Sequence, residues 1–289
     1  MKSSRRSALT AATVALVTAV FTGLAVSYWL RAPRPRDMAP SQTLAAIARW
    51  DGSRIVDLTH AFHPGIPHRD ALGDEVIEPL FAHEPGVGSR GTGASLSRYT
   101  LIGQWGTHVD APVHFIEGMR SLDQISLGEM ILPLVVIDIH EKVQENPDYV
   151  VTMDDVRDWE ERHGPVPARS FVALRTDWSQ RWSNAHAFFN TDEDGVSHYP
   201  GWSREVLSYL DEDRDIAAIG HETPDTDPGA VASGSVFPLE SYHLQQDKYQ
   251  IEMLSNLDKV PEFGALIIAA WPKAQDASGF PARVFALLP

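Results

Sequence analysis

The chain contains no cysteine, and its basic residues are few and unevenly placed. Without cysteine it forms no disulfide, has no thiolate zinc site and has no cysteine nucleophile, so a bound metal must be held by nitrogen and oxygen atoms. The formal net charge is -15, and six of the 24 lysines and arginines stand within the first forty positions. The remainder is therefore strongly acidic, and we expect it to repel nucleic acid and anionic lipid.

The N-terminal segment has the order of an export signal. Lys2, Arg5 and Arg6 precede an uncharged stretch over 7–30, and a basic region before an apolar one is typical of exported proteins. The apolar run is also long enough to span a bilayer. Two alternatives stay open over 1–30, a cleaved signal peptide and an uncleaved membrane anchor. Either one, followed by a Pro- and Arg-containing tether over 31–50, predicts a periplasmic or secreted body over 51–289.

Hydrophobic patterning predicts a mixed α/β domain, without an internal repeat or linker over 54–289. Helices are expected over 43–50, 152–162 and 201–211, the second with a capping box formed by Thr152 and Asp155. Strands are expected over 54–59, 95–102, 131–139, 171–176, 216–220, 265–270 and 283–288. The intervening segment 60–93 is rich in proline and glycine and predicts long loops near a site. Of its four histidines (His60, His63, His68 and His83), most are expected at the surface and one could line a pocket.

The stretch QWGTHVDAPVHF, residues 104–115, concentrates polar side chains of the kind that bind metals. If residues 108–110 are extended, His108 and Asp110 project on the same side, as two ligands of one ion must. Gly106 permits a bend that brings Gln104 to that face, and Pro112 stiffens the exit. His114 lies four positions after Asp110, so in an extended chain it would project on the same side as well. A His-x-Asp pair alone is common by chance, but this framing favours a metal site.

The same stretch closely resembles the signature of the cyclase family of metal-dependent hydrolases, which includes bacterial kynurenine formamidase and isatin hydrolase. That signature is His-x-Gly-Thr-His-x-Asp-x-Pro-x-His-Phe. The matching residues are Gly106, Thr107, His108, Asp110, Pro112, His114 and Phe115. Gln104 stands where the family has histidine, and weaker similarity extends from Asp57 to Arg283. The resemblance implies a single α/β domain of the mixed-sheet, swivelling β/β/α kind with long active-site loops, and a homo-oligomer.

The resemblance also implies roles for the residues of the motif. His108 and Asp110 would bind a divalent metal, and His114 would be the catalytic acid and base. Gln104 would be a further ligand, with a carbonyl oxygen that donates more weakly than imidazole, and Thr107 would orient a ligand. An oxygen-richer set favours manganese or magnesium, and zinc stays open, as does the choice between one ion and two.

The second half of the implied site lies in the C-terminal third. The segment 249–258 resembles the family segment whose glutamate is a ligand, which assigns Glu252 to that role. The family's last histidine ligand has two candidates here. Imidazole chemistry slightly favours His243, whereas the family spacing reaches Glu240, and a degenerate second metal position is the third alternative.

An acidic loop over 220–229 follows a predicted buried strand. By resemblance, Glu222, Asp225 and Asp227 would support the site, and His221 could be a further ligand. The alternative is a loop whose carboxylates are solvated. Trp178 and Trp105 belong to regions that would line the substrate pocket. With Trp182, Phe188 and Tyr199 near them in sequence, they indicate an aromatic substrate, although aromatic residues also form cores.

These residues predict a metal-dependent hydrolase that cleaves a carbon–nitrogen bond in a small amide, either an aryl formamide or a cyclic amide. A serine hydrolase is disfavoured because no Gly-x-Ser-x-Gly motif is present. Two alternatives stay open. One is a non-catalytic extracytoplasmic metal- or ligand-binding protein, which Gln104 favours and His114 argues against. The other is a related lyase or lactone-opening enzyme on the same scaffold.

Overall fold

A nine-stranded mixed sheet organises the computed structural model, which describes residues 52–69, 73–81 and 94–289. The strands are β1 (Ile55–Asp57), β2 (Val76–Phe81), β3 (Leu96–Thr100), β4 (His108–Asp110), β5 (Ile131–Asp138), β6 (Phe171–Arg175), β7 (Ala218–His221), β8 (Tyr249–Glu252), β9 (Phe263–Ala270), β10 (Gly279–Pro281) and β11 (Arg283–Leu287). The sheet order is β1-β11-β9-β5-β6-β7-β8-β4-β10. Strands β5 to β8 pair in parallel and the other neighbours antiparallel, which confirms the predicted mixed α/β class.

Helices lie between the strands, chiefly in the crossovers that parallel strands require. They are α1 (His140–Glu145), α2 (Met153–His163), α3 (Ala185–Phe189), α4 (Arg204–Ser208), α5 (Gly229–Ala232) and α6 (Pro238–Gln245). The predicted capping box of α2 is confirmed, with the Thr152 hydroxyl and the Asp155 carboxylate satisfying each other's backbone N–H groups. Helix α4 is shorter than predicted, because the chain continues from Tyr209 as a single π-helical turn.

Two hydrophobic cores lie on opposite faces of the sheet. Val135 and Ile137 of β5 belong to one core, whereas Leu134 and Val136 belong to the other. Since side chains alternate along a strand, a strand buried on both faces needs a nearly continuous apolar run. The run over 131–139 is therefore explained by its central place in the sheet. Trp159 of α2 is fully buried in the first core, where truncation to alanine costs about 3–5 kcal/mol.

The prediction of long loops over 60–93 is wrong for Val76–Phe81. Strand β2 lies there and pairs with β3 alone in a two-stranded antiparallel sheet. Nearly every residue of β2 is exposed, so the strand lacks the alternating pattern that sequence analysis depends on. Pro79 also argues against a strand in the sequence, because proline within sheets is confined to edge strands, first positions and bulges.

The predicted export segment, the tether over 31–50 and the predicted helix over 43–50 lie outside the described residues. Within the described part of the chain, we find no helix of sufficient length and apolarity to cross a membrane. The residues from Ser53 onward form one compact unit.

Candidate functional site

Two neighbouring strands carry the centre of the site. Strand β4 pairs antiparallel with β8, with His108 opposite Glu252 and Asp110 opposite Gln250. The Nε2 atom of His108 lies 3.1 Å from Oδ2 of Asp110 and 3.5 Å from Oε2 of Glu252. All three side chains are buried, and their ligand atoms lie within 4.8 Å of one another. The cross-strand register thus brings together one nitrogen and two carboxylate ligands from distant parts of the sequence.

The orientation of His108 is fixed by the backbone of its own motif. Its Nδ1 lies 2.8 Å from the carbonyl oxygen of Gly106, which is an acceptor, so Nδ1 carries a hydrogen and Nε2 faces the carboxylates. Gly106 has a φ of 66°, a left-handed conformation that favours glycine. The predicted bend at this glycine is therefore present.

A second group of potential ligands shares Asp110. The Nε2 atom of His114 lies 3.9 Å from Oδ1 of Asp110 and 4.0 Å from Oε1 of Glu240, which helix α6 supplies. His114 ends a 3-10 turn over Pro112–His114, and its side chain is 28% exposed. It is thus the most accessible member of an otherwise buried cluster.

Gln250 lies at the centre of the carboxylates and was missed by sequence analysis. Its Nε2 donates to Oε1 of Glu240 and Oε1 of Glu252, both at 2.9 Å, and lies 3.4 Å from Oδ2 of Asp110. The Thr226 hydroxyl donates to its Oε1 at 2.7 Å, which fixes the amide orientation. An uncharged residue carries little metal-site signal. The place of Gln250 two residues before Glu252, on the same face of an extended chain, was the available clue.

The cluster holds more negative than positive charge in a buried environment. Burial raises the pKa of Glu240 and of Glu252 well above the usual range, and neighbouring carboxylates add to both shifts, Asp110 first for Glu240 and Glu240 first for Glu252. Burial would also raise the pKa of Asp110, but the neighbouring His108 holds it at about 2. Buried like charges are costly unless a cation or protons offset them. A divalent cation fits this set of imidazole and carboxylate donors.

Gln104 reaches the cluster as predicted, although the contact is made by its amide nitrogen. Its Nε2 donates to Oδ1 of Asp110 at 3.1 Å. Gly279 of β10, opposite Asp110 in the sheet, makes room for this side chain. A Cβ atom at position 279 would lie 2.2 Å from Nε2 of Gln104 and 2.8 Å from Oδ1 of Asp110.

The structure separates the two candidates for the last ligand. His243 does not reach the cluster, because its Nδ1 lies 3.0 Å from Oδ2 of Asp211 and its Nε2 lies 3.1 Å from the carbonyl oxygen of Tyr249. Both ring nitrogens are thus engaged elsewhere, and the preference for His243 is corrected. Glu240, the candidate indicated by spacing, occupies the site.

Thr107 and His221 support the cluster from outside it. The Thr107 hydroxyl donates to the carbonyl oxygen of Met253 at 2.6 Å and accepts from the His60 backbone at 3.0 Å, which joins the motif to the end of β8. The fully buried His221 accepts at Nδ1 from the Trp202 indole at 3.2 Å. Its Nε2 therefore carries the hydrogen and faces Oε1 of Glu252 at 3.5 Å. This Nε2 has no hydrogen-bond partner among the described residues, and a nitrogen that carries a hydrogen is not a metal ligand, so the expectation of a further ligand there is corrected.

The carboxylates of the acidic loop have different partners. Asp225 accepts hydrogen bonds from Arg69 and from the Tyr199 hydroxyl. Asp227 accepts from the backbone nitrogens of Leu239 and Glu240 and so holds the first turn of α6. Neither carboxylate is merely solvated.

Glu222 and Trp178 lie away from the cluster, contrary to expectation. Glu222 accepts from the Thr176 backbone at 2.7 Å and from the Ser179 hydroxyl at 2.6 Å, and burial raises its pKa to about 7. Trp178 is a core residue whose indole donates to the Phe188 carbonyl oxygen at 2.8 Å. Both stabilise the end of β6, since Thr176 to Ser179 follow that strand directly.

A cavity of about 230 Å³ opens onto the cluster. Its wall combines the acidic cluster with His114, Arg69 and apolar groups. The aromatic members are Trp105, Phe115, Phe189 and Phe237. Its volume is below the roughly 300–1,000 Å³ typical of drug-sized ligands, so it suits a small molecule. Trp105 and His68 line it as two of the predicted pocket candidates, whereas Trp182 and Phe188 do not.

A mixed sheet that presents buried imidazole and carboxylate donors to a small apolar cavity, with an accessible histidine beside them, defines a metal-dependent hydrolase. The chain belongs to the cyclase family, since residues 56–228 match the family described as "Putative cyclase". It is 36% identical over 190 residues to the isatin hydrolase of Roseibium aggregatum. The matched segment covers 64% of this chain and 71% of that protein.

Solved structures agree with this assignment. Isatin hydrolase A from Ralstonia solanacearum is 35% identical and superposes with a TM-score of 0.77, over 87% of this chain and 99% of that one. An isatin hydrolase bound to the product analogue thioisatinate is 29% identical, with a TM-score of 0.77, over 87% of this chain and 100% of that one. The similarity therefore extends beyond residue 228 to the segment that carries Glu240 and Glu252.

Proposed function

We propose that this protein hydrolyses the carbon–nitrogen bond of a cyclic aryl amide of the isatin kind. The observation that carries the proposal is the position of His114, exposed to a small cavity with aromatic walls and beside a buried cluster of metal-ligand type. The names of the relatives support the choice of a cyclic amide over an aryl formamide. The small volume and the aromatic lining of the cavity are compatible with a bicyclic ring.

We propose that His108, Asp110 and Glu252 hold one divalent ion, and that the ion is manganese. The carboxylate-rich donor set supports manganese over zinc, since harder oxygen donors suit harder cations. Gln104 adds no imidazole nitrogen to this set. When bound, the ion lowers the pKa of a water molecule towards neutrality and polarises the substrate carbonyl.

In this proposal His114 moves the proton. It accepts a proton from the water that attacks the amide carbon and delivers it to the nitrogen as the carbon–nitrogen bond breaks, so that the products are an amine and a carboxylic acid, which releases its remaining proton to solvent and becomes the carboxylate. Its position near both Asp110 and Glu240 stabilises the imidazolium formed in between. The edge of its ring meets Phe115, with ring centroids 4.9 Å apart, which restricts its orientation. Because His114 is placed to serve a reaction, the non-catalytic alternative is disfavoured.

We further propose that the protein is exported through its first 30 residues and acts as a homo-oligomer. The order of basic and apolar residues supports export. Cell fractionation and N-terminal sequencing of the mature protein test export and distinguish a cleaved signal from an anchor. Light scattering after size-exclusion chromatography tests the oligomer, and a monomer would contradict it.

The experiment for the reaction combines metal analysis of the purified protein with a hydrolysis screen of isatin, aryl formamides and cyclic imides. We expect about one manganese ion per chain and hydrolysis of isatin that chelation abolishes. The variant His114→Ala should retain the metal and lose the activity. Full activity in this variant, or in metal-free protein, would exclude the proposal, and a preference for lactones would favour the lactone-opening alternative.

A further inference from the structure

Arg69 is held in the wall of the cavity by two contacts. Its Nη2 donates to Oδ1 and Oδ2 of Asp225 at 2.8 and 2.7 Å. Its guanidinium carbon lies 5.4 Å from the ring centroid of Phe237. The Tyr199 hydroxyl donates to the same carboxylate, which keeps Asp225 in place. The guanidinium plane is thus oriented before any ligand enters.

Among the described residues, most of the hydrogen-bonding capacity of Arg69 has no partner. Both of its hydrogen bonds come from Nη2, and within residues 52–69, 73–81 and 94–289 no side chain or carbonyl accepts from its Nε or Nη1. A guanidinium has five N–H donors. The side chain is 40% exposed and borders the cavity. Donor groups are therefore available to a molecule in the cavity.

Among the described residues that line the cavity, Arg69 alone is permanently cationic. Burial opposes its charge, but the adjacent Asp225 carboxylate raises its pKa and keeps it ionised. Arg69 lines the same cavity as Asp110, Glu240 and Glu252, which places its positive charge beside the cluster. A substrate carbonyl held at the cluster would have this cation close to its neighbouring atoms.

We propose that Arg69 is a specificity-determining residue that donates hydrogen bonds to a second oxygen of the substrate, the ketone oxygen on the carbon next to the scissile amide carbonyl. The inference rests on the proposed function and names its substrate class, the cyclic 1,2-dicarbonyl amides. Hydrolysis of such an amide produces an α-keto carboxylate, so the same ketone oxygen remains available to Arg69 in the product. Charge-assisted hydrogen bonds from a fixed guanidinium suit this planar acceptor.

A purely electrostatic role for Arg69 makes a different prediction. If the guanidinium only offset the charge of the carboxylates, its removal would weaken all anionic ligands by the same factor. If it recognises the ketone oxygen, its removal should weaken only ligands that carry this oxygen. Two aromatic acids separate the alternatives, because phenylglyoxylate has the ketone and phenylacetate has a methylene group in its place.

The test is calorimetric titration of both acids into the manganese-loaded protein. We expect wild type to bind phenylglyoxylate about 10- to 100-fold more tightly than phenylacetate, the range expected for a charged hydrogen bond. In Arg69→Met this ratio should fall close to one. The matched control is Arg214→Met, since Arg214 pairs with Glu160 at 2.7 and 3.0 Å but does not border the cavity. The control should keep the wild-type ratio.

A wild type without this preference, or an Arg69→Met variant that retains it, overturns the inference. Should Arg69→Met fail to fold, the affinity ratio is measured in Arg69→Lys instead, because lysine keeps the charge and lacks the planar fork. Its ratio must then fall as well. The titration does not depend on turnover, so the proposed function is tested separately by hydrolysis of isatin. A protein that hydrolyses isatin but shows no role of Arg69 in the ratio retains its function and loses this inference.

Discussion

The amide nitrogen of Gln104 donates a hydrogen bond to Oδ1 of Asp110 across 3.1 Å. The residue that departs from the cyclase signature thus binds a candidate metal ligand directly. It orients the carboxylate through a hydrogen bond, where a histidine would offer a ring nitrogen.

Replacing Gln104 should therefore change metal binding. Gln104→Ala removes the partner of Asp110, and loss of such a partner typically weakens metal binding by about 10- to 100-fold. Gln104→His should instead strengthen zinc binding relative to manganese, since imidazole suits zinc. Competition with a chelator measures both affinities. Gln246→Ala, at an amide that contacts the Tyr242 carbonyl oxygen, is the control, and unchanged affinities in both Gln104 variants would contradict the prediction.

His114→Ala should reduce kcat by about 10²- to 10⁴-fold, the usual contribution of a positioned acid and base. Metal content should be unchanged, because the proposed ion is held by His108, Asp110 and Glu252, whereas His114 belongs to the second group, with Asp110 and Glu240. Steady-state kinetics and elemental analysis of the same samples check the two expectations. Parallel loss of metal and activity would instead assign His114 to the ion, together with Asp110 and Glu240. His63→Ala, at an exposed histidine, is the control.

His243→Leu should destabilise the fold without altering the donor set. The side chain connects α6 to β8, and its buried partner Asp211 would lose its neighbouring imidazole. Breaking a buried ion pair by removing one partner costs about 3–5 kcal/mol. Urea unfolding of His243→Leu, Asp211→Leu and the double variant measures the coupling. If the two single effects simply add, the pair makes no coupled contribution and the prediction is wrong.

Glu222 should make stability depend on pH between about 5 and 8. Its pKa in the folded protein is raised to about 7 by burial, against the ordinary 4.5. The folded state therefore binds the proton more tightly than the unfolded state, so the contribution is fully present below pH 4.5 and is lost as the pH rises through 7. Glu222→Gln should remove this loss, which is of the order of 1–3 kcal/mol. The free energy of unfolding at pH 5 and pH 8 tests it, and an equal pH response in both proteins would count against it.

Gly279→Ala should disturb the site from the sheet edge. The added Cβ would lie 2.9 Å from the Val109 carbonyl oxygen as well as close to Gln104 and Asp110. Overpacking of this kind costs about 1–3 kcal/mol, and we expect weaker metal binding beside the lower melting temperature. Gly128→Ala is the matched control, because its nearest neighbour would be the Ser126 hydroxyl at 3.8 Å. Equal effects of the two substitutions would contradict the prediction.

Periodic patterns account for the parts of the fold that were predicted correctly. The strand over 131–139 is buried on both faces, and the helix that begins after Thr152 has a complete cap, so local sequence was sufficient for both. Strand β2 was missed because its exposure removes the alternation that defines a strand. The motif over 104–115 placed His108, Asp110 and His114 together, since all three stand in one short segment.

The other half of the site depends on contacts between distant segments. Glu240 and His243 stand on one short helix, and only its packing against β8 decides which side chain faces Asp110. Arg69 and Gly279 carry no local sign of their partners Asp225 and Gln104, which lie more than 100 positions away in the chain, and Gln250 carries none of its place beside Asp110, 140 positions away. Composition could not show that a glycine makes room for Gln104, or that an arginine would border the cavity.

The pairing of β4 with β8 has a consequence for how this site tolerates change. Because neighbouring side chains along a strand point to opposite faces, inserting or deleting one residue within Tyr249–Glu252 would shift the pairing by one position and remove Glu252 from its place opposite His108. Loops can lengthen without this penalty. Variation in length among related proteins should therefore avoid these two strands and accumulate in the connections, and grafting experiments should transfer them as one unit.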